Sequence, residues 1–376
     1  MRGNQSDTPH RHLGVRLEDS WHAFRERGAR AKGMVASVAS FRGYGLSSPD
    51  GGWVRVLARI SMARPEGPEI AVPTPQVVAD SVRGWKNFVS PALPYAEVTV
   101  TVEGRKYKVD ADRGGVLDAL IEVGLEPGWH TVHFSCEGSE DAPARVFVVD
   151  SAVDFGMVSD VDDTVVVTAL PRPLLAAWNS FVLNEHARVA TPGMAVMMER
   201  LMRGRPGSPV LYLSTGAWNV APTLTRFLTR NLYPEGALLL TDWGPTEGRW
   251  FRSGMKHKVD QLRRLADEFP QMRWLLVGDD GQHDPEIYAE FAKRYPQNVR
   301  AIVIRQLTPS EAVLAGGRSM GTVDATPGVP WIYAPDGAVI IAELEKLGIV
   351  SAEDQRVQED EQLRAVEQKQ ARGEKV

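Results

Sequence analysis

The stretch Phe155-Gly156-Met157-Val158-Ser159-Asp160-Val161-Asp162-Asp163-Thr164 decides how this chain is read. A short continuous apolar run is what a strand buried on both faces needs. It ends abruptly in three carboxylates. In an open α/β sheet, ligands bind beyond the carboxyl ends of the strands, which is where these acids fall. Crowded carboxylates repel each other and lose solvation, so such a cluster calls for a cation or a proton to offset it.

Downstream, strand and helix patterns alternate. Pro209–Leu213, Trp274–Val277 and Ala301–Ile304 are further buried-strand runs, and Gly193–Met202, Val220–Leu232, Lys258–Phe269 and Pro285–Arg294 have helical character. Val329–Tyr333 followed by Gly337–Leu347 continues the alternation. It predicts a parallel, doubly wound α/β sheet over residues 151–350. Upstream, over 52–150, the period is two: Trp53–Ile60, Glu97–Val102 and Trp129–Phe134 read as strands separated by turns such as Glu103-Gly104. Short strands with frequent turns predict an antiparallel β-sandwich domain, with Pro65–Pro75 as a long loop inside it. Residues 1–51 read as a polar, basic extension carrying a short helix, whose Leu17, Trp21 and Phe24 share one face. Residues 351–376 hold seven acids, five bases and five glutamines, as in a solvated helix or a disordered tail.

Composition bounds the partners. The 376 residues carry 43 Lys+Arg against 48 Asp+Glu, a net charge of −5 that gives no global attraction to nucleic acid. The single cysteine, Cys136, cannot form an internal disulfide and reads as packing. No run approaches the ~20 apolar residues of a membrane span, and the first 30 residues lack the apolar core of a secretory signal. A cytoplasmic location is expected, with peripheral membrane contact compatible with it.

Three more elements follow in the order a phosphoryl-transfer site needs. Pro209–Leu213 ends in Ser214-Thr215-Gly216, a strand end offering a hydroxyl and backbone N–H groups to a phosphate. Lys258, expected to open a helix at Val259, brings positive charge. Trp274–Val277 runs into Gly278-Asp279-Asp280-Gly281-Gln282-His283-Asp284, a strand end suited to a hard cation such as Mg²⁺. His257, His283, Asn184, His186 and Arg188 are weaker candidates beside these elements.

The order Asp160-x-Asp162-x-Thr164, Ser214, Lys258, Gly278-Asp279 resembles the four motifs of the haloacid-dehalogenase superfamily of phosphatases. More narrowly, Ser159–Thr164, Ser214–Asn219 with its Trp218-Asn219 pair, His257-Lys258 and Gly278–Tyr288 resemble the actin-patch-associated phosphatidate phosphatases, relatives of the lipin catalytic domain. The resemblance covers roughly 150–310, and Asp280 and Ala217 depart from it, standing where a serine and a proline are expected. It implies a Mg²⁺-dependent phosphatase working through an aspartyl-phosphate, with phosphatidate at a membrane surface as substrate and no nucleic-acid partner. By the same resemblance Asp160 is the nucleophile and Asp162 the general acid and base. Asp279, Asp160 and the backbone carbonyl of Asp162 form the metal shell. Ser214 and Lys258 hold the phosphoryl oxygens, with Thr215, Gly216 and Asn219 beside them on the substrate. The alternatives are a phosphatase of a soluble phosphomonoester or phosphoprotein, and a catalytically silent lipid- or partner-binding module. Finally, Trp243, Trp250 and Phe251, beside Arg249 and Arg252 in the Gly/Pro-containing stretch 242–252, suggest a loop at a bilayer interface.

Overall fold

The computed structural model describes residues 33–64, 90–167, 189–241, 250–281, 283–314 and 326–350. Outside it lie the predicted helix of Leu17, Trp21 and Phe24, the Pro65–Pro75 loop, Asn184, His186 and Arg188, most of the 242–252 stretch and the charged tail.

The chain first builds a seven-stranded sheet: β1 (Val35–Ser48), β2 (Gly51–Ala63), β3 (Glu97–Val102), β4 (Arg105–Asp110), β5 (Val116–Glu122), β6 (Gly128–Cys136) and β7 (Ala142–Asp150). Their order is β4-β3-β6-β7-β1-β2-β5. All pairings are antiparallel except β1 with β7, where Gly43–Ser47 runs parallel to Val146–Asp150. The strands of the predicted sandwich thus form one continuous sheet that is mixed and not purely antiparallel. It also begins at Val35, inside the segment expected to be an extension. A bulge between Phe41 and Tyr44 breaks the alternation of β1, which hid the strand. Gly43 and Gly45 let β2 approach closely, since a Cβ on either would lie 2.2–2.3 Å from a carbonyl of Arg55 or Trp53.

One face of this sheet surrounds its own core. Val98, Val100 and Val102 of β3 meet Val54, Val56, Ile60, Val132, Phe134 and Val146 there. Cys136 packs at its margin, in keeping with its predicted role. Phe41, Tyr44, Leu57, Val116 and Val149 belong instead to the core of the second unit, which joins the two.

The second unit contains β8 (Phe155–Asp160), the small ribbon β9 (Val166–Val167) with β10 (Val189–Ala190), α1 (Met194–Arg203), β11 (Val210–Ala217), α2 (Ala221–Arg230), β12 (Ala237–Thr241), α3 (Trp250–Glu268), β13 (Arg273–Asp279), α4 (Asp284–Arg294), β14 (Val299–Arg305), α5 (Pro309–Leu314), β15 (Trp331–Ala334) and α6 (Gly337–Lys346). Six strands form a parallel sheet in the order β12-β11-β8-β13-β14-β15. The order runs outward in opposite directions from β8, so β8 is flanked by β11 on one side and β13 on the other. The carboxyl ends of these three neighbours therefore meet at one point. Gly156 permits the close contact of β8 with β13, because a Cβ there would lie 2.4 Å from the Trp274 ring. β8 and β12 are buried throughout, β8 including the Ser159 and Asp160 that follow its apolar run.

One local expectation needs correcting. Lys258 does not open its helix: α3 starts at Trp250, so Lys258 lies two turns inside. Its apolar stripe runs through Met255, Val259, Leu262, Leu265 and Ala266, and Gly254 with the cationic stretch 256–258 masked the turns before Val259. No helix among the described residues is long and apolar enough to cross a membrane.

Candidate active site

Asp160 is the last residue of β8, and its side chain is 1% exposed. Lys258 Nζ lies 2.6 Å from Asp160 Oδ1 and donates to Asp284 Oδ1 at 2.5 Å. The ammonium thus bridges carboxylates from β8 and from the start of α4. Gly254, one turn before Lys258, lets α3 close on the end of β11, where a Cβ would meet Thr215 Cγ2 at 3.0 Å. Gly278 does the same at β13: a Cβ there would lie 2.6 Å from Asp284 Oδ2 and 2.8 Å from Tyr288.

Asp162 faces β11. Ser214 Oγ donates to Asp162 Oδ2 at 3.0 Å and accepts from Gly216 N at 3.0 Å. The carbonyls of Thr215 and Gly216 accept from Thr241 Oγ1, which fixes the strand end to β12. Trp218, buried, stacks on Phe41 of β1 with ring centroids 4.9 Å apart. It ties this segment to the N-terminal sheet, while the neighbouring Asn219 keeps a buried Oδ1 without a hydrogen-bond partner.

Asp279 ends β13 fully buried, and its Oδ1 accepts from Gly281 N at 2.7 Å. The departure at Asp280 has a local explanation. Asp280 Oδ1 accepts from Leu307 N at 2.8 Å, so its carboxylate braces the loop after β14. His283 is exposed and precedes α4. His257 is mostly buried; burial and the neighbouring cations hold its pKa down at about 4, so the ring is neutral at pH 7.

The sequence motifs thus converge: Asp160, Asp162, Ser214, Lys258 and Asp279 surround the ends of β8, β11 and β13. Asp284 was missed as a site residue. The signal for it was its spacing of five from Asp279, across a strand end and into the first turn of a helix. Asp160, Asp279 and Asp284 each present a carboxylate oxygen within 4.8 Å of the others, and all three are buried.

Charge balance here is unfavourable without a further cation. Burial pushes the Asp160 carboxyl well above the usual carboxylate range; Lys258 opposes this, and Asp284 and Asp162 add to it. Asp279 is likewise raised by burial, with Asp284, Asp160 and Asp163 adding to it. Lys258 is desolvated yet raised, because Asp160 and Asp284 favour its charged form. Asp160 Oδ2 and Asp279 Oδ2 are both buried without a hydrogen-bond partner. Hard carboxylate oxygens orphaned side by side are a donor set for a divalent cation.

A sequence model described as the phosphatidate phosphatase APP1 catalytic domain matches residues 155–306. Phosphatidate phosphatase APP1 of Saccharomyces cerevisiae is 24% identical over 181 residues, 46% of this chain and 30% of the yeast protein. An uncharacterized protein of Schizosaccharomyces pombe is 24% identical over 45% of this chain and 28% of its own length. The chain thus spans under a third of the curated relatives it matches. Among solved structures, one titled as the structure of PhoD overlaps 72% of this chain and 70% of its own at 10% identity and a TM-score of 0.27, too low to bear on the fold. The match to the APP1 catalytic-domain model encloses every carboxylate of the buried group together with Ser214 and Lys258, and over residues 155–306 this chain is similar to that family.

Proposed function

We propose that this protein is a Mg²⁺-dependent phosphatidate phosphatase, converting phosphatidate to diacylglycerol and phosphate on a haloacid-dehalogenase-like, doubly wound domain over 151–350. The observation that carries this reading is the pair of buried, unpartnered carboxylate oxygens, Asp160 Oδ2 and Asp279 Oδ2, beside the Lys258 ammonium. An anionic nucleophile with fixed cationic support suits attack on an anionic phosphate. The family match supplies the substrate class.

Asp160 attacks phosphorus, and the bond to the glyceride oxygen breaks as the aspartyl-phosphate forms. Asp162 gives its proton to the departing alkoxide and then takes one from the water that cleaves the aspartyl-phosphate. Ser214 and Lys258 donate to the phosphoryl oxygens, with Thr215, Gly216 and Asn219 lining the substrate side. Asp160, Asp279 and Asp284, together with the Asp162 carbonyl, would hold Mg²⁺, which when bound offsets the negative charge shared by phosphate and carboxylates. The lipid is met at a membrane surface by peripheral contact.

The test is phosphate release from phosphatidate vesicles and from soluble phosphomonoesters, with and without Mg²⁺. Mg²⁺-dependent release favouring vesicles is expected. Preference for a soluble ester would replace the lipid with that substrate class, and no release from either would leave a binding module.

A further inference from the structure

Arg305 ends β14 and is 3% exposed, although no sequence motif points to it. β13 separates β14 from β8, yet Arg305 reaches across to the turn that follows β8. Its Nη1 donates to the Asp163 carbonyl at 2.7 Å, and its Nη2 is held by Glu311 Oε1 at 2.7 Å. Glu311 is itself fixed by Thr308, whose N and Oγ1 both donate to Oε2. The backbone of Arg305 engages the other acidic loop, its carbonyl accepting from Asp280 N at 3.0 Å.

Asp163 has a φ of 58°, a left-handed conformation that a non-glycine residue keeps only where its surroundings hold it. Here both backbone groups are held: its N–H donates to Val166 O at 2.8 Å and its carbonyl accepts from Arg305. Tyr233 Oη adds a bond to Val165 O at 2.8 Å on the same turn. Asp162 directly precedes Asp163, so the rotation of that turn sets where its carboxylate meets Ser214.

We infer that Arg305 is a positioning residue: by pinning the Asp163 carbonyl and the Asp280 amide together, it sets the Asp160–Thr164 turn so that Asp162 faces Ser214 and the leaving oxygen. The catalytic half of this inference rests on the phosphatase reading above. Guanidinium geometry is required, because one group must reach Glu311 and a backbone carbonyl at once, which the single ammonium of lysine serves poorly.

Arg305→Lys keeps the charge and tests both halves. Amide hydrogen exchange at Asp163, Val165 and Val166 should quicken about tenfold while β11 and β12 stay protected. Turnover of an alkyl phosphate, which needs its leaving group protonated, should fall about tenfold more than that of an activated aryl phosphate. Unchanged exchange in the turn, or parallel losses on both substrates, overturns the inference. If the wild type hydrolyses neither ester, the phosphatase reading fails, and the exchange measurement alone decides whether Arg305 holds the turn. Should Arg305→Lys not fold, Glu311→Gln leaves the guanidinium in place but loosens it, and the same two readouts apply.

Discussion

Lys258 Nζ stands 2.6 Å from Asp160 Oδ1, with both side chains withdrawn from water. Each is the other's compensation, so the two do not tolerate removal equally. Asp160→Asn removes a charge that burial already disfavours, and Lys258 keeps Asp284 as a partner. The variant should fold with a melting temperature near the wild type while turnover drops at least ~10³-fold. Lys258→Met leaves buried carboxylates without their cation and should cost about 3–5 kcal/mol in denaturant unfolding as well as activity. If Asp160→Asn retains substantial turnover, the aspartyl-phosphate mechanism fails.

Divalent cations should stabilise the fold itself. Three buried carboxylates lie together and the one ammonium pairs with only two of them, so an ion that joins them binds the native state and not the unfolded chain. At about 100 times its dissociation constant such an ion adds about 2.7 kcal/mol. Differential scanning calorimetry with and without Mg²⁺ should show a higher melting temperature with the metal, and Asp279→Asn should abolish the difference. A wild-type melting temperature indifferent to Mg²⁺, Mn²⁺ and Ca²⁺ would show that the carboxylates hold no ion.

How much of this was legible in the sequence depends on where each residue sits. Asp160, Ser214 and Asp279 each stand within two residues of the end of an apolar run, and a strand that is buried on both faces announces its own carboxyl end. Asp284 is signalled only by its spacing of five from Asp279, and it matters because α4 turns back over Gly278. Arg305 announces nothing, because β14 lies two strands from β8, and sheet order, which no local pattern encodes, brings it to the site. β1 was hidden for another reason, its bulge between Phe41 and Tyr44 erasing the two-residue period. Trp218 illustrates a third case, a motif residue whose ring is spent on stacking with Phe41 of the other unit.

His257 gives the fold a pH dependence of predictable sign. Its folded pKa, about 4, lies below the ordinary 6.5. The unfolded chain therefore takes up a proton that the folded chain refuses between those values. Its contribution is fully present above pH 6.5 and is lost as pH falls toward 4, by at most about 3 kcal/mol. Urea unfolding of wild type and His257→Gln at pH 7.5, 6 and 5 should show a shallower decline in the variant. Parallel declines would mean that His257 is as free to protonate in the native state as in the unfolded one.

The junction between the two units carries a second buried charge cluster whose energetics can be separated from packing. Arg55 of β2 donates through Nε to Glu268 Oε1 at 2.9 Å and through Nη1 to Asp118 Oδ1 at 2.6 Å. Arg264 completes the cluster on Asp118 Oδ2 at 2.6 Å, and Tyr44 Oη donates to Glu268 Oε2 at 2.9 Å. Glu268 and Arg264 lie on α3, the helix that carries Lys258, while Tyr44, Arg55 and Asp118 lie on the N-terminal sheet. Arg55 and Glu268 are only 12% and 9% exposed. Removing Arg55 alone leaves the Glu268 carboxylate with only Tyr44 beside Trp53 and Phe269, whereas removing both takes out the two opposite charges together and leaves Asp118 paired with Arg264. Arg55→Met should therefore cost about 3–5 kcal/mol, and adding Glu268→Leu should recover most of the loss. The check is a double-mutant cycle in urea. Additive losses would mean that each side chain is held by its other neighbours and that the Arg55–Glu268 pair does not couple the sheet to α3.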